Sequence, residues 1–200
     1  METIYREGDL ILVVGADKTR LRVSSIYLTD ASDVFRAMLH GNFAEGLTTT
    51  SSSPREVVLS DDDSAAMRHL CNSIHGRTTA IPHTLAKNDL MSIALLADKY
   101  NCGSVMKCTL YFWITESKFF ENPFNMDDRL YLTTVAYLFN EPGVFRRYTR
   151  SIVREQAWSF QQLQSLVEAK SYALPFEILC MWYRYCRDIA STDTSNSGHR

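Results

Sequence analysis

The hydrophobic positions of the N-terminal half change between two periods. Three short segments have the period or the composition of β-strands: residues 9–14, 19–23 and 55–59. The first two flank a group of turn residues and predict a β-hairpin. Between the second and the third, Val34, Phe35 and Met38 share one face, which predicts an amphipathic helix over 33–39. The polar residues 46–54 have nothing to bury and predict a mobile loop.

Helical patterns follow the third strand. The acidic residues 61–63 suit a helix N-terminus, because their carboxylates can cap free backbone amides, and Met67 and Leu70 then lie on one apolar face. Residues 88–100 are apolar almost all round, which predicts a central helix that is covered on several sides. A further helix is predicted over 104–115.

The second half of the chain has helical periods only. After a connector over 116–128, breaks in the pattern, one of them at 140–143, separate four predicted helices: residues 128–139, 144–158, 160–170 and 175–189. The last of these is apolar on most sides, so we expect it to be buried within the domain or covered by another chain. The predicted fold class is α+β, with three regions: a sheet-containing domain over 8–115, a helical extension over 116–190 and a disordered tail over 191–200.

Composition narrows the classes of protein that fit this pattern. The chain has 200 residues, of which 46% are hydrophobic and 22% charged, as in soluble globular domains. Its net charge of -2 argues against a dedicated nucleic-acid binder, which needs excess positive charge to neutralise phosphates. Five cysteines, an odd number, disfavour a disulfide framework. We find no signal peptide and no apolar run long enough to cross a membrane, so we expect a cytoplasmic or nuclear protein.

Five local phrases in the first half occur in an order that resembles the BTB/POZ domain over about residues 8–114. They are GDLILVV at 8–14, SDVFRAML at 32–39, NFAE at 42–45, EVVL at 56–59 and ADKY at 97–100. The helical remainder more loosely resembles the BACK-type extensions that follow many BTB domains. The resemblance implies a small β-sheet flanked by helices and a role in protein–protein interaction, without chemistry of its own.

The resemblance also implies candidate partners. Many BTB domains self-associate, and many recruit cullin-3 through a hydrophobic residue, any residue and an acid that follow the helix equivalent to 33–39. Phe43 and Glu45 match that motif here. An exposed aromatic anchor can supply buried area, while a carboxylate fixes orientation. In the alternative interpretation, Phe43 folds back on its own helix and Glu45 is solvated.

The N-terminus departs from part of the family pattern. Only eight residues precede Asp9, whereas strand-exchanged BTB dimers carry a longer N-terminal segment. We therefore expect any homo-oligomer to form without that exchange. The sequence as a whole predicts a non-enzymatic interaction adaptor that recruits cullin-3 for substrate ubiquitination. The alternative is a self-associating module of a nuclear or regulatory complex with no role in ubiquitination.

Candidate metal and catalytic groups do not converge. His69, Cys71 and His75 are spaced i, i+2 and i+6, so on a helix they point in different directions. The same six-residue separation recurs in two cysteine pairs, Cys102/Cys108 and Cys180/Cys186. We therefore expect buried structural cysteines and no metal. The sequence has no glycine-rich phosphate loop, nucleophile elbow or paired-histidine motif, so we expect neither a cofactor nor enzymatic activity.

One predicted helix separates charge from apolar surface. Over 144–158 the apolar positions are Val144, Phe145, Tyr148 and Ile152. The opposite side holds the arginine stripe, which consists of Arg146, Arg147, Arg150 and Arg154. Such a stripe is either an ordinary solvated face or a surface for an acidic partner, with nucleic-acid phosphate as the less favoured ligand.

Overall fold

A computed structural model describes most of the chain as two compact units, residues 1–117 and 118–200. The described residues are 1–40, 52–116, 126–154 and 160–169, together with Pro175, Ile178, Cys180 and Arg184. Most of the helix predicted over 175–189, most of the loop predicted over 46–54 and the predicted tail lie outside them.

The first unit contains a four-stranded mixed sheet. Its strands are β1 (Glu2–Thr3), β2 (Leu10–Val14), β3 (Thr19–Val23) and β4 (Arg55–Leu59), and their order across the sheet is β1-β3-β2-β4. Strands β2 and β3 form the predicted antiparallel hairpin, with Leu12 opposite Leu21. Strand β4 runs parallel to β2, while β1 pairs in parallel with β3 of its own chain. Every residue of β2 is buried, as expected for a central strand covered on both faces.

Helices pack around this sheet. They are α1 (Ser25–Ala31), α2 (Asp33–His40), α3 (Ser64–Ile74), α4 (Lys87–Lys99) and α5 (Gly103–Glu116), with a single 3-10 turn at Thr78–Ala80. Helix α3 contacts both α4 and α5, and α1 packs on α2 and α3. The α+β class and the predicted strands are confirmed. The sequence pattern did not predict β1, α1 or the 3-10 turn.

Burial corrects two details of the predicted apolar faces. Phe35 is fully buried on α2, but the neighbouring Val34, predicted on the same face, is 39% exposed. Leu95 on α4 is 46% exposed, although this helix was expected to be covered on several sides. Each helix therefore leaves part of its surface to solvent: α2 packs on α1, and α4 packs on α3 and α5.

Three described helices form the second unit: α6 (Met126–Leu138), α7 (Pro142–Arg154) and α8 (Phe160–Ala169). Helix α6 is buried along nearly its whole length and packs against α7. Asn140, with a φ of 52°, follows the end of α6 in the left-handed region. Pro142 and Gly143 were predicted to belong to the break, yet they are the first residues of α7, where the fixed φ of proline suits the first turn.

Candidate protein-interaction surfaces

Helix α2, which leads towards Phe43 and Glu45, is tied at its start to the end of α4. The Ser32 hydroxyl accepts a hydrogen bond from the Phe35 amide at 3.0 Å and donates one to the Tyr100 carbonyl. The Phe35 ring stacks on the Tyr100 ring with a centroid separation of 4.3 Å and an interplanar angle of 4°. Burial of the hydroxyl and the ring makes this cluster a fixed base for the helix.

In the acidic turn before α3, Asp63 and Asp62 have different roles. Asp63 accepts a hydrogen bond from the Ala66 amide at 2.7 Å, so the predicted helix cap is confirmed there. Asp62 is instead buried and accepts hydrogen bonds from Lys99 and from the Tyr100 hydroxyl. Burial, reinforced by this hydrogen bond, raises the pKa of Tyr100, which keeps its proton for donation.

The candidate motif itself, Phe43 and Glu45, lies outside the described residues. The chain on both sides of it is held in place. A guanidinium nitrogen of Arg55, at the start of β4, donates a hydrogen bond to the Leu39 carbonyl of α2 at 3.4 Å. Leu39 and Arg55 therefore fix the two ends of the segment that contains the motif.

An apolar surface that the sequence pattern did not predict is formed by Tyr5, Ile26 and Tyr27, named here the α1 patch. Ile26 is 74% exposed, and Tyr27 is also exposed. The Tyr5 and Tyr27 rings lie 5.4 Å apart, and Tyr27 lies 5.1 Å from the imidazole ring of His75. Three rings from three separate segments thus pack together, and the exposed isoleucine is the chain neighbour of one of them.

Remote side chains hold the start of α1 beneath this patch. The Asp9 carboxylate accepts hydrogen bonds from the amide and the hydroxyl of Ser25, and His75 Nε2 accepts one from the Ser24 amide at 3.0 Å. Nδ1 of the same ring lies 2.8 Å from the Cys71 carbonyl, to which it donates in the neutral tautomer. Burial lowers the pKa of His75 and favours that neutral form.

The arginine stripe lies on α7. Val144, Tyr148 and Ile152 are buried, as the apolar pattern predicted. Arg146, Arg147 and Arg150 are exposed. Arg154 is the last residue of the helix. The backbone therefore carries the stripe on one continuous helix, with the buried face opposite it.

A comparison with protein-family models gives a match to the BTB/POZ domain over residues 4–117. The match covers more than half of the chain and includes strands β2, β3 and β4. The chain belongs to the BTB/POZ family. BTB domains are modules of protein–protein interaction, so the first unit has that general role. A search of curated proteins finds no match to the chain.

The structure shows which contacts are made by the sequence phrases that resemble the BTB domain. Ser32 and Phe35 of the second phrase contact Tyr100 of the last one, and Tyr100 in turn reaches Asp62. The BTB phrases therefore join two helices and the acidic turn into one packed cluster. The family match ends at residue 117, and the likeness of the second unit to a BACK-type extension stays a prediction.

The cysteines of the BTB unit differ in burial, and His75 has both ring nitrogens engaged. Cys71 and Cys102 are buried, and burial raises the pKa of both thiols, that of Cys102 to about 12. Cys108 is exposed, which corrects the expectation that the cysteines are buried. Both ring nitrogens of His75 are engaged, so this side chain cannot also bind a metal in the observed arrangement. Among the described residues, no group of three or more possible ligands could hold a metal ion.

The described helices were also compared with the dimensions of a lipid bilayer. A spanning helix needs about 20 predominantly apolar residues. In the part of the chain that the structure describes, no helix combines that length with sufficient apolar character.

Proposed function

We propose that the chain is a non-enzymatic adaptor whose BTB unit recruits cullin-3 for the ubiquitination of other proteins. The observation that carries the proposal is the BTB/POZ match over residues 4–117. Phe43 and Glu45 are the proposed contact residues, Phe43 as an apolar anchor and Glu45 as the orienting charge. Such a role belongs in the cytoplasm or the nucleus. The second unit would then steady this contact or bind the protein to be delivered.

The surroundings of the proposed contact support its use as a docking point. Ser32 and Phe35 fix the start of α2, and the Arg55 bond to Leu39 fixes the far side of the segment. Ends that are already held in the free protein lose less conformational freedom on binding. Docking at such a site therefore retains more of its interaction free energy than docking at an unanchored segment.

The test is binding of the cullin-3 N-terminal domain to the full chain and to two double variants. Phe43→Ala with Glu45→Ala removes the proposed anchor and charge, and we expect a loss of affinity of at least tenfold, about 1.4 kcal/mol. Val105→Ala with Asp98→Ala is the matched control, because it removes an exposed apolar side chain and an exposed acid outside both the 43–45 segment and the α1 patch. Equal binding by the parent and the first variant would exclude Phe43 and Glu45 from the contact.

Self-association without ubiquitination is the second candidate, and the α1 patch favours it. Ile26 exposes 74% of its surface, and the adjacent Tyr27 is also exposed and packs on Tyr5; burial of these side chains against another protein would be stabilising. Strand β1, which lies next to this region in the chain, already pairs with β3 of the same chain. A homo-oligomer built on the patch would therefore not need the exchange of this strand.

Light scattering of the parent and of an Ile26→Glu variant separates the two candidates. A stable oligomer that the charged side chain dissociates, combined with no affinity for cullin-3, supports self-association alone. A monomer that binds the cullin-3 domain supports the adaptor and excludes the second candidate. Ile26 is exposed, so the substitution leaves the core intact.

A further inference from the structure

Helix α7 concentrates charge of one sign on its exposed side. Its 13 residues include four arginines and neither an aspartate nor a glutamate. The buried Val144, Tyr148 and Ile152 fix the rotation of the helix, so Arg146 and Arg150 stay on the outside. The orientation of the stripe is therefore imposed by the core of the second unit.

Three arginines of the stripe have no acidic partner in the described part of the chain. Within the part of the chain that the structure describes, no ion pair joins Arg146, Arg147 or Arg150 to a carboxylate. The guanidinium carbon of Arg147 lies 5.7 Å from the centre of the Tyr148 ring. Positions i, i+4 and i, i+3 are neighbours on a helix, and like charges at these spacings repel each other. Pairs 146/150 and 147/150 therefore weaken the free helix.

Two kinds of anionic ligand fit this face poorly. A helix that binds a lipid surface inserts its apolar side, but the apolar side of α7 is buried within the second unit. Single-stranded nucleic acid stacks its bases on exposed aromatic rings. The aromatic residues of α7 are Phe145, which is half-buried, and Tyr148, which is buried. An acidic protein segment, by contrast, can bind through the exposed guanidinium groups alone, without an exposed apolar or aromatic side chain.

We infer that the arginine stripe binds an acidic segment of a partner protein, with carboxylates arranged along one line. Arg146 and Arg150 are four residues apart, so they are separated by about 6 Å along the helix axis. Glutamates at every fourth position of a facing helix have the same spacing, as do alternate residues of an extended strand at about 6.6 Å. The guanidinium groups, with donors in a planar fork, bind each carboxylate through paired hydrogen bonds.

Fluorescence anisotropy with the full chain tests this assignment. The probe is a labelled helical peptide with glutamate at every fourth position, and its control has glutamine at those positions. We expect the glutamate peptide to bind and the glutamine peptide not to bind. Because screening weakens exposed charge pairs, the affinity should fall at least tenfold between low and high salt. The variant Arg146→Gln with Arg150→Gln should lose at least tenfold as well.

A matched variant distinguishes binding by the stripe itself from a general effect of the net charge of the protein. Arg36→Gln with Arg184→Gln removes the same number of positive charges from exposed positions outside α7, and it should bind the glutamate peptide as the parent does. Equal losses in both double variants would reduce the effect to net charge and overturn the assignment. No preference for glutamate over glutamine, or tighter binding of an oligothymidine of similar length, would also overturn it.

Discussion

Helices α1 and α7 expose opposite kinds of surface: α1 exposes apolar side chains, and α7 exposes positive charge. Helix α1 buries Leu28 and exposes the isoleucine and tyrosine of the α1 patch. Helix α7 buries its apolar residues and exposes arginine. In the two proposed associations, burial of apolar area is the driving force at the first surface and charge complementarity at the second. The two surfaces should therefore respond to different conditions.

The difference has a direct consequence for solution behaviour. The Tyr27 ring of the α1 patch packs on His75, whose pKa burial lowers below the ordinary value of 6.5, and the patch has little charge to screen. The arginine stripe keeps its charge at any ordinary pH but is open to screening by salt. Acid should thus affect the first surface, and salt the second.

The largest expected effect is a loss of stability when the buried side of α1, rather than its exposed side, is truncated. Leu28→Ala leaves a cavity under the helix and should lower the free energy of unfolding by about 2–5 kcal/mol. Ile26→Ala, two positions away and 74% exposed, should change it by less than about 0.5 kcal/mol. Urea denaturation measures both. A large loss for Ile26→Ala would show that this side chain belongs to the core rather than to a free surface.

A smaller effect is expected from acidification. Burial lowers the pKa of His75 and His69 in the folded chain below the ordinary value of 6.5. Above pH 6.5 both imidazoles are neutral in the folded and in the unfolded chain, so neither of them lowers the free energy of unfolding. As the pH falls below it, the unfolded chain binds protons first, so stability decreases towards the lower folded pKa.

Unfolding free energies measured across this pH range should show the decrease. The slope should become smaller in His75→Gln and in His69→Gln, each compared with the parent. An unchanged slope in both variants would show that neither imidazole is protected from protonation by folding.

The smallest effect concerns the stripe. Arg150→Gln removes the like-charged pairs that position 150 forms on α7 with positions 146, 147 and 154, so the free energy of unfolding should stay the same or rise by about 0.2–0.5 kcal/mol per pair. Arg184→Gln, which is exposed outside α7, is the control and should have no such effect. A loss above about 1 kcal/mol in urea denaturation would give Arg150 a structural role and remove the contrast with α1.

The contrast also explains which parts of the fold the sequence could predict. Helix α7 was predicted because its apolar residues recur with helical period and its arginines fill the opposite side. Helix α1 was missed because Leu28 is its one buried residue, and because Asp9 and His75, which cap its start, come from remote segments. The cap at Asp63 is local and was predicted. The partners of Asp62 lie beyond the reach of local patterns, since they are Lys99 and Tyr100.

Calorimetric titration of the full chain with the cullin-3 N-terminal domain tests the adaptor role most directly. The proposed function predicts saturable binding that persists at high salt, since an aromatic anchor at Phe43 rather than the arginine stripe carries it. Absence of heat and of a co-eluting complex at any salt concentration would contradict the adaptor role and leave self-association as the function of the BTB unit.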